Sequence, residues 1–192
     1  MKRLLAVIAV LLLTGAPATA RAQGGFGIKG GLSYGAASNS GVLPGTTQRS
    51  GFAVGVSAIT GGVVGFGIEG LYAQRGFTST TAGVSRRLDY IDVPVYLRLS
   101  LPTPGVSPFA YAGPQGSYEL QCGTDSGNCP DSGRPKFTYA GVIGGGLRFG
   151  MLHNLSVEGR YVYGLTDLNL GTVQSSANYK ARSLLLLVGI GF

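Results

Sequence analysis

The chain has 192 residues, enough for one domain, and only 12% are Asp, Glu, Lys or Arg, about half the usual soluble share of roughly 25%. The formal net charge is +7, but no basic run follows the first residues, which excludes a nucleic-acid footprint. Glycine accounts for 34 residues, more than twice the usual roughly 7%, yet apolar residues alternate with small and polar ones, which excludes a low-complexity linker and leaves too little charge to coat a water-facing surface.

The first segment reads as an address. Lys2 and Arg3 precede an apolar run from Leu4 to Leu13, too short for a bilayer span of roughly 20 residues. Ala20 and Ala22 frame Arg21 in an A-x-A pattern. The expectation is a cleaved signal peptide over residues 1–22 and one mature domain over 23–192. An uncleaved N-terminal anchor is the alternative. The leader carries Lys2, Arg3 and Arg21 and no acid, so part of the basic balance belongs to it.

From Phe26 onward apolar residues recur at every second position, the period of a strand with two unlike faces. Phe26, Ile28, Leu32 and Tyr34 alternate with Gly27, Lys29, Gly31 and Ser33. A second run sets Phe52, Val54, Val56 and Ala58 against Ala53, Gly55 and Ser57. After the Gly61-Gly62 turn, Val64, Phe66, Ile68 and Tyr72 share a face and Glu69 and Arg75 point the other way. The fourth run is the clearest. Ile91, Val93, Val95, Leu97, Leu99 and Leu101 hold one parity, and Tyr90, Asp92, Pro94, Tyr96, Arg98 and Ser100 the other. Pro94 cannot donate to a ladder, so a bulge or a missing bond is expected there. In the fifth run Phe109 and Tyr111 have one parity and Tyr118 and Leu120 the other. A bulge near Gly113-Pro114 would reconcile them. The sixth groups Phe137, Tyr139, Ile143, Leu147 and Phe149; the seventh sets Leu155, Val157, Tyr161, Tyr163 and Leu165 opposite Glu158 and Arg160. The eighth puts Leu184, Leu186, Val188, Ile190 and Phe192 on one face, with a mixed face of Ser183, Leu185, Leu187, Gly189 and Gly191 behind.

Eight strands result, joined alternately by short turns (Gly61-Gly62, Pro102 to Ser107, Gly150 to Asn154) and by longer segments rich in Gly, Ser, Thr and Asn (Ala36 to Arg49, Phe77 to Arg86, Gln121 to Pro135, Asp167 to Asn178). Short turns on one side and long loops on the other mark an eight-stranded antiparallel up-and-down transmembrane β-barrel. A soluble barrel would alternate too, so charge placement decides the orientation. Lys29, Glu69, Asp92, Arg98, Glu158 and Arg160 all lie on the small-polar parity. Outside, they would be a thin coat. Inside, they can pair across a narrow lumen while the apolar face meets lipid. The expectation is therefore an interior charge network of these six residues. Tyr34, Tyr72, Phe109, Phe137, Phe149, Tyr161 and Tyr163 fit interfacial aromatic girdles.

Chemical motifs are sparse. G-x-G-x-x-G occurs at Gly25 to Gly30 and at Gly65 to Gly70, but each lies inside a strand with no helix after it, unlike a dinucleotide fingerprint. His153, the only histidine, sits in a short turn with no nucleophile patterned around it. Glu69, Asp92 and Glu158 could in principle do acid–base work; carboxylates near arginines on an inner face read better as structural pairs. No catalytic, cofactor or metal site is assigned. Cys122 and Cys129, the only cysteines, flank a turn-rich segment of an exported chain and are expected to form a disulfide. The chain ends on Val188, Ile190 and Phe192 at steps of two, which looks like the terminal-strand signal read by the barrel assembly machinery.

Gly27-Ile-Lys-Gly-Gly-Leu-Ser33, Leu88-Asp-Tyr-Ile-Asp-Val-Pro-Val-Tyr-Leu97, Pro108-Phe-Ala-Tyr-Ala-Gly-Pro114, Glu158-Gly-Arg-Tyr-Val-Tyr-Gly-Leu165 and the final Gly-Phe resemble, in order, the outer-membrane β-barrel domain family, also called porin family or PorT family proteins, with an OmpX/OmpA-like eight-stranded barrel. The resemblance implies the outer membrane of a diderm bacterium and little about activity. The functional expectation is a non-enzymatic integral outer-membrane barrel with an envelope or loop-mediated adhesion role. The alternative is a narrow porin-like channel, although an eight-stranded interior is just wide enough for side chains to fill. Expected partners are outer-membrane lipid and, during biogenesis, periplasmic chaperones and the assembly machinery, with no nucleic acid; an extracellular partner is unknown.

Overall fold

The computed structural model describes residues 25–38, 46–79, 84–124, 127–128, 136–150, 154–168 and 179–192. Eight long strands form it: β1 (Gly25–Ser38), β2 (Thr46–Gly61), β3 (Val64–Ser79), β4 (Val84–Ser100), β5 (Val106–Thr124), β6 (Phe137–Phe149), β7 (Leu155–Leu168) and β8 (Tyr179–Gly191). A two-residue strand, Gly127–Asn128, pairs with the tip of β5. Each strand pairs antiparallel with its sequence neighbours, and β1 pairs with β8 from Gly27↔Gly191 to Ser38↔Lys180. First joined to last, the sheet has no free edge, so the backbone pairs from strand to strand without needing water.

Parity decides what faces where. On β4, Leu97 keeps 45% of its surface while Tyr96 and Arg98 on either side keep 2% and 5%. The same alternation runs round the ring. Phe26, Val56, Phe66, Ile143, Val157 and Val188 are exposed outside. Ser57, Glu69, Gln115, Glu158, Arg160 and Ser183 are buried inside. The fold is thus turned inside out relative to a soluble domain, which suits hydrocarbon outside and polar pairing within. Aromatics gather at both ends of the apolar band. Phe52–Tyr72 and Phe137–Tyr139 ring pairs, with centroids 5.6 and 4.9 Å apart, lie toward the long-loop end. Phe26, Phe66 and Phe192 lie toward the short-turn end.

Among the described residues, each short turn carries a residue in the left-handed region: Gly61 at φ 93°, Gly105 at φ 82° and Asn154 at φ 52°. Glycine has no Cβ penalty there, and Asn is among the few side chains that tolerate it.

Of the two outcomes expected at Pro94, the missing bond is the one found: Ile68↔Val95 and Leu71↔Asp92 belong to one register, with the pairs between them missing from the ladder and no residue inserted. Other sequence expectations need correction. No bulge occurs at Gly113-Pro114: β5 pairs with β6 continuously from Val106↔Phe149 to Tyr118↔Phe137. Phe109 and Tyr111 simply face inward, and Ala110 and Ala112 take the lipid side. Phe109 therefore leaves the girdle; it is a buried lumen residue. The long loops are also shorter than expected. Phe77↔Arg86, Thr78↔Ser85 and Ser79↔Val84 continue the β3–β4 ladder into what read as a loop. Register shifts fall on the long-loop side, between Arg49 and Ala53, Asp89 and Tyr90, and Tyr163 and Asp167, where extra residues locally disrupt the ladder.

Candidate functional site

The interior is the candidate site, because it holds nearly all the buried charge. Inward parity turns Lys29 of β1, Glu69 of β3, and Glu158 and Arg160 of β7 into the lumen, and the strand registers bring them to one level. There they form a closed ring of alternating charge. Lys29 Nζ lies 2.6 Å from Glu69 Oε1 and 2.8 Å from Glu158 Oε2. Arg160 Nη2 lies 2.5 Å from Glu69 Oε2 and 2.9 Å from Glu158 Oε1. Each acid thus meets both bases, and the ring is neutral. Two phenols complete it: Tyr96 donates to Glu69 at 2.5 Å and Tyr111 to Glu158 at 3.1 Å, while Arg160 Nε donates to the Tyr111 hydroxyl at 2.8 Å. Pairing of this density is what makes ions tolerable away from water.

The two tyrosines depend on glycine across the strand. Gly67 is paired with Tyr96, and Gly144 with Tyr111. A Cβ on either glycine would collide with the facing ring. The bare backbone lets both rings lie against the wall, 4.5 Å apart, with their hydroxyls aimed at the acids. Gly144→Val should therefore displace Tyr111 and lower stability by about 1–3 kcal/mol, the usual range for overpacking. Equilibrium unfolding in lipid vesicles reads this; an unchanged midpoint would show that the ring is free to move.

The remaining predicted residues divide. Asp92 is ion-paired with Arg75 of β3, toward the long-loop end. Arg98 joins no ion pair among the described residues, contrary to expectation. Its Nε donates to Ser100 Oγ at 3.1 Å, and its guanidinium lies 3.8 Å from the Phe109 ring centroid. Sequence reading missed Tyr96 and Tyr111 as ligands of the ring. It also left open the role of Leu185 and Leu187, which with Leu71 fill the lumen at 1% exposure each. Val188, Ile190 and Phe192 lie on the outer face, where the Phe192 amide donates to the Phe26 carbonyl at 2.7 Å. Cys122 is buried near the end of β5; Cys129 and His153 lie outside the described residues.

A family model described as outer membrane protein beta-barrel domain matches residues 20–169. The chain belongs to this outer membrane β-barrel family. No curated protein matches it. Among solved structures, the barrel is similar to Ail, the attachment invasion locus protein of Yersinia pestis, solved with the heparin analogue sucrose octasulfate; identity is 17%, the TM-score 0.50, and the match covers 88% of this chain and 99% of that one. It is similar also to Neisserial surface protein A, at 18% identity and TM-score 0.51 over 87% of this chain and 97% of that one. The outer membrane enzyme PagL matches at 14% identity and TM-score 0.47, over 86% of this chain and 99% of that one. At these identities the first two likenesses show the fold alone. The family places the barrel in the outer membrane of a Gram-negative bacterium.

Proposed function

We propose that this barrel is a non-enzymatic, non-conducting component of the envelope that holds its long loops outside the cell for contact with a partner. The observation that carries the reading is the filled interior. Arg160, Leu71, Leu185, Leu187, Gln115 and Asp92 point into the lumen and are almost wholly inaccessible to water. A lumen whose lining water cannot reach has no continuous path for ions. The inward acids are also engaged. Glu69 and Glu158 each hold two cations and Asp92 holds Arg75, which leaves none of the three poised as a general base. The paired extensions beyond the apolar band, such as Gly76–Ser79 with Val84–Arg87, would serve as stems for the loops.

The same reading includes export through removal of residues 1–22, chaperone-assisted delivery, recognition of Val188, Ile190 and Phe192 by the assembly machinery, and a Cys122–Cys129 disulfide tying the loop after β5. Mass spectrometry of unreduced protein from the envelope should give a mass two hydrogens below the dithiol and an N-terminus at Gln23. Free thiols would remove the disulfide from the proposal. The functional test is conductance in planar bilayers. No steady open level is expected; a reproducible one would favour the narrow-channel reading instead.

A further inference from the structure

We infer that Arg182, at the long-loop edge of the outer face, holds a phosphate of the phosphorylated glycolipid in the outer leaflet of the membrane. The inference rests on the placement of the long loops outside the cell proposed above. Along β8 the outward parity runs from Lys180 and Arg182 through Leu184, Leu186, Val188 and Ile190. The four aliphatic residues are exposed, while Ser183 and Leu185 face the lumen at 3% and 1% exposure. A cationic step therefore follows directly on the apolar band, on the loop side. In the ladder Arg182 pairs with Ala36 of β1 and Tyr163 of β7, and Tyr34 of β1 pairs with Leu184, one outward step below. Tyr34 and Tyr163 lie on the loop side of the aliphatic band, at the depth where an aromatic girdle marks the change from hydrocarbon to headgroups.

Among the described residues, no carboxylate meets this guanidinium. β1, β7 and β8 carry two acids, Glu158 and Asp167. Glu158 points into the lumen and holds Lys29 and Arg160 there. Asp167 is paired in the ladder with Lys180, not with Arg182. The Arg182 guanidinium instead lies 5.3 Å from the Tyr163 ring centroid, and its Nε is enclosed without a hydrogen-bond partner. A half-buried cation beside hydrocarbon is costly unless an anion meets it. The anion at this depth of the leaflet is a lipid phosphate. A planar guanidinium set against a ring presents parallel donors that match a phosphate better than an ammonium would. The aliphatic residues directly below it on β8 give the acyl chains of the same lipid a surface to lie on.

Native mass spectrometry of the folded full chain in detergent micelles, titrated with diphosphoryl lipid A, tests this. Saturable retention of the lipid is expected. Arg182→Gln should weaken it by about tenfold or more, the loss of a charge-assisted contact. Arg87→Gln, at an exposed position on β4 where the side chain is ion-paired with Asp89, should leave it unchanged. Gel mobility before and after heating shows whether each variant folds. If Arg182→Gln does not, the wild type decides the matter: lipid A stripped of both phosphates should be retained about tenfold more weakly than the diphosphoryl form. No retention by the wild type, equal retention by folded Arg182→Gln, or equal retention of the stripped lipid would overturn the proposal. Retention of dioleoyl-phosphatidylglycerol as tight as that of lipid A would overturn the glycolipid as the occupant. Micelles have no sides, so a negative result leaves the loop-contact reading, which conductance tests, where it stood.

Discussion

Glu69→Ala should lower the unfolding free energy of the barrel by about 3–5 kcal/mol, the range for removing one partner from a buried ion pair. The change leaves Lys29 and Arg160 facing Glu158 alone, so one positive charge stays in the lumen without compensation. It also strips the Tyr96 hydroxyl of its acceptor. The variant Lys29→Met combined with Glu69→Ala removes one charge of each sign and restores neutrality. It should cost less than the sum of the two single changes, the mark of direct coupling. The chain has no Trp and 10 Tyr, so tyrosine fluorescence and heat-dependent gel mobility are the natural readouts. A loss below about 1 kcal/mol for Glu69→Ala, the scale of exposed pairs, would mean that water reaches the ring.

Leu97→Arg should cost roughly 2–4 kcal/mol in vesicles, against about 0–1 kcal/mol for Val63→Arg. Leu97 sits on the outer face of β4, within the apolar band that runs from Ile91 to Leu101. Val63 lies in the turn between β2 and β3, where an arginine reaches the headgroup level. Equal costs at the two positions would place Leu97 away from hydrocarbon. Burial energetics that run opposite on the two parities of one strand are the physical signature of this fold.

How legible the fold was depended on how unlike the two faces of each strand were. Both faces of β4 from Tyr90 to Ser100 were read correctly, because aliphatic residues alternate there with polar or bulky ones. β5 was not, because its inward face carries large rings, Phe109 and Tyr111, and its outward face only Ala110, Ala112 and Pro114. Size and hydrophobicity there oppose the usual rule, and the Tyr111 ring is accommodated because Gly144 stands across the strand. β8 was ambiguous because Leu184, Leu185, Leu186 and Leu187 occupy both faces; closure against β1 and β7 sets the parity.

For the interior, parity told which charges face inward but not which meet. Meeting depends on height along the barrel axis, and that is fixed by register between strands far apart in sequence, such as Lys29 and Glu158. Arg98 is one inward step nearer the short turn than Tyr96, which puts it toward the short-turn end of the lumen, on the wall of the cavity there. The Tyr96 and Tyr111 hydrogen bonds could have been suspected from one signal, an inward tyrosine with a glycine opposite it on the neighbouring strand, but only once register was known.

The most direct test of an outward apolar face around a filled lumen lies in those four leucines. Methyl resonances of the barrel in nanodiscs, recorded with a paramagnetic label on the lipid tails, separate the two faces of β8 without perturbing it. Leu184 and Leu186, exposed on the outer face, should broaden strongly, and Leu185 and Leu187, each 1% exposed within the lumen, should remain sharp. Equal broadening of all four, or broadening confined to Leu185 and Leu187, would contradict the assignment of faces on which the filled barrel rests.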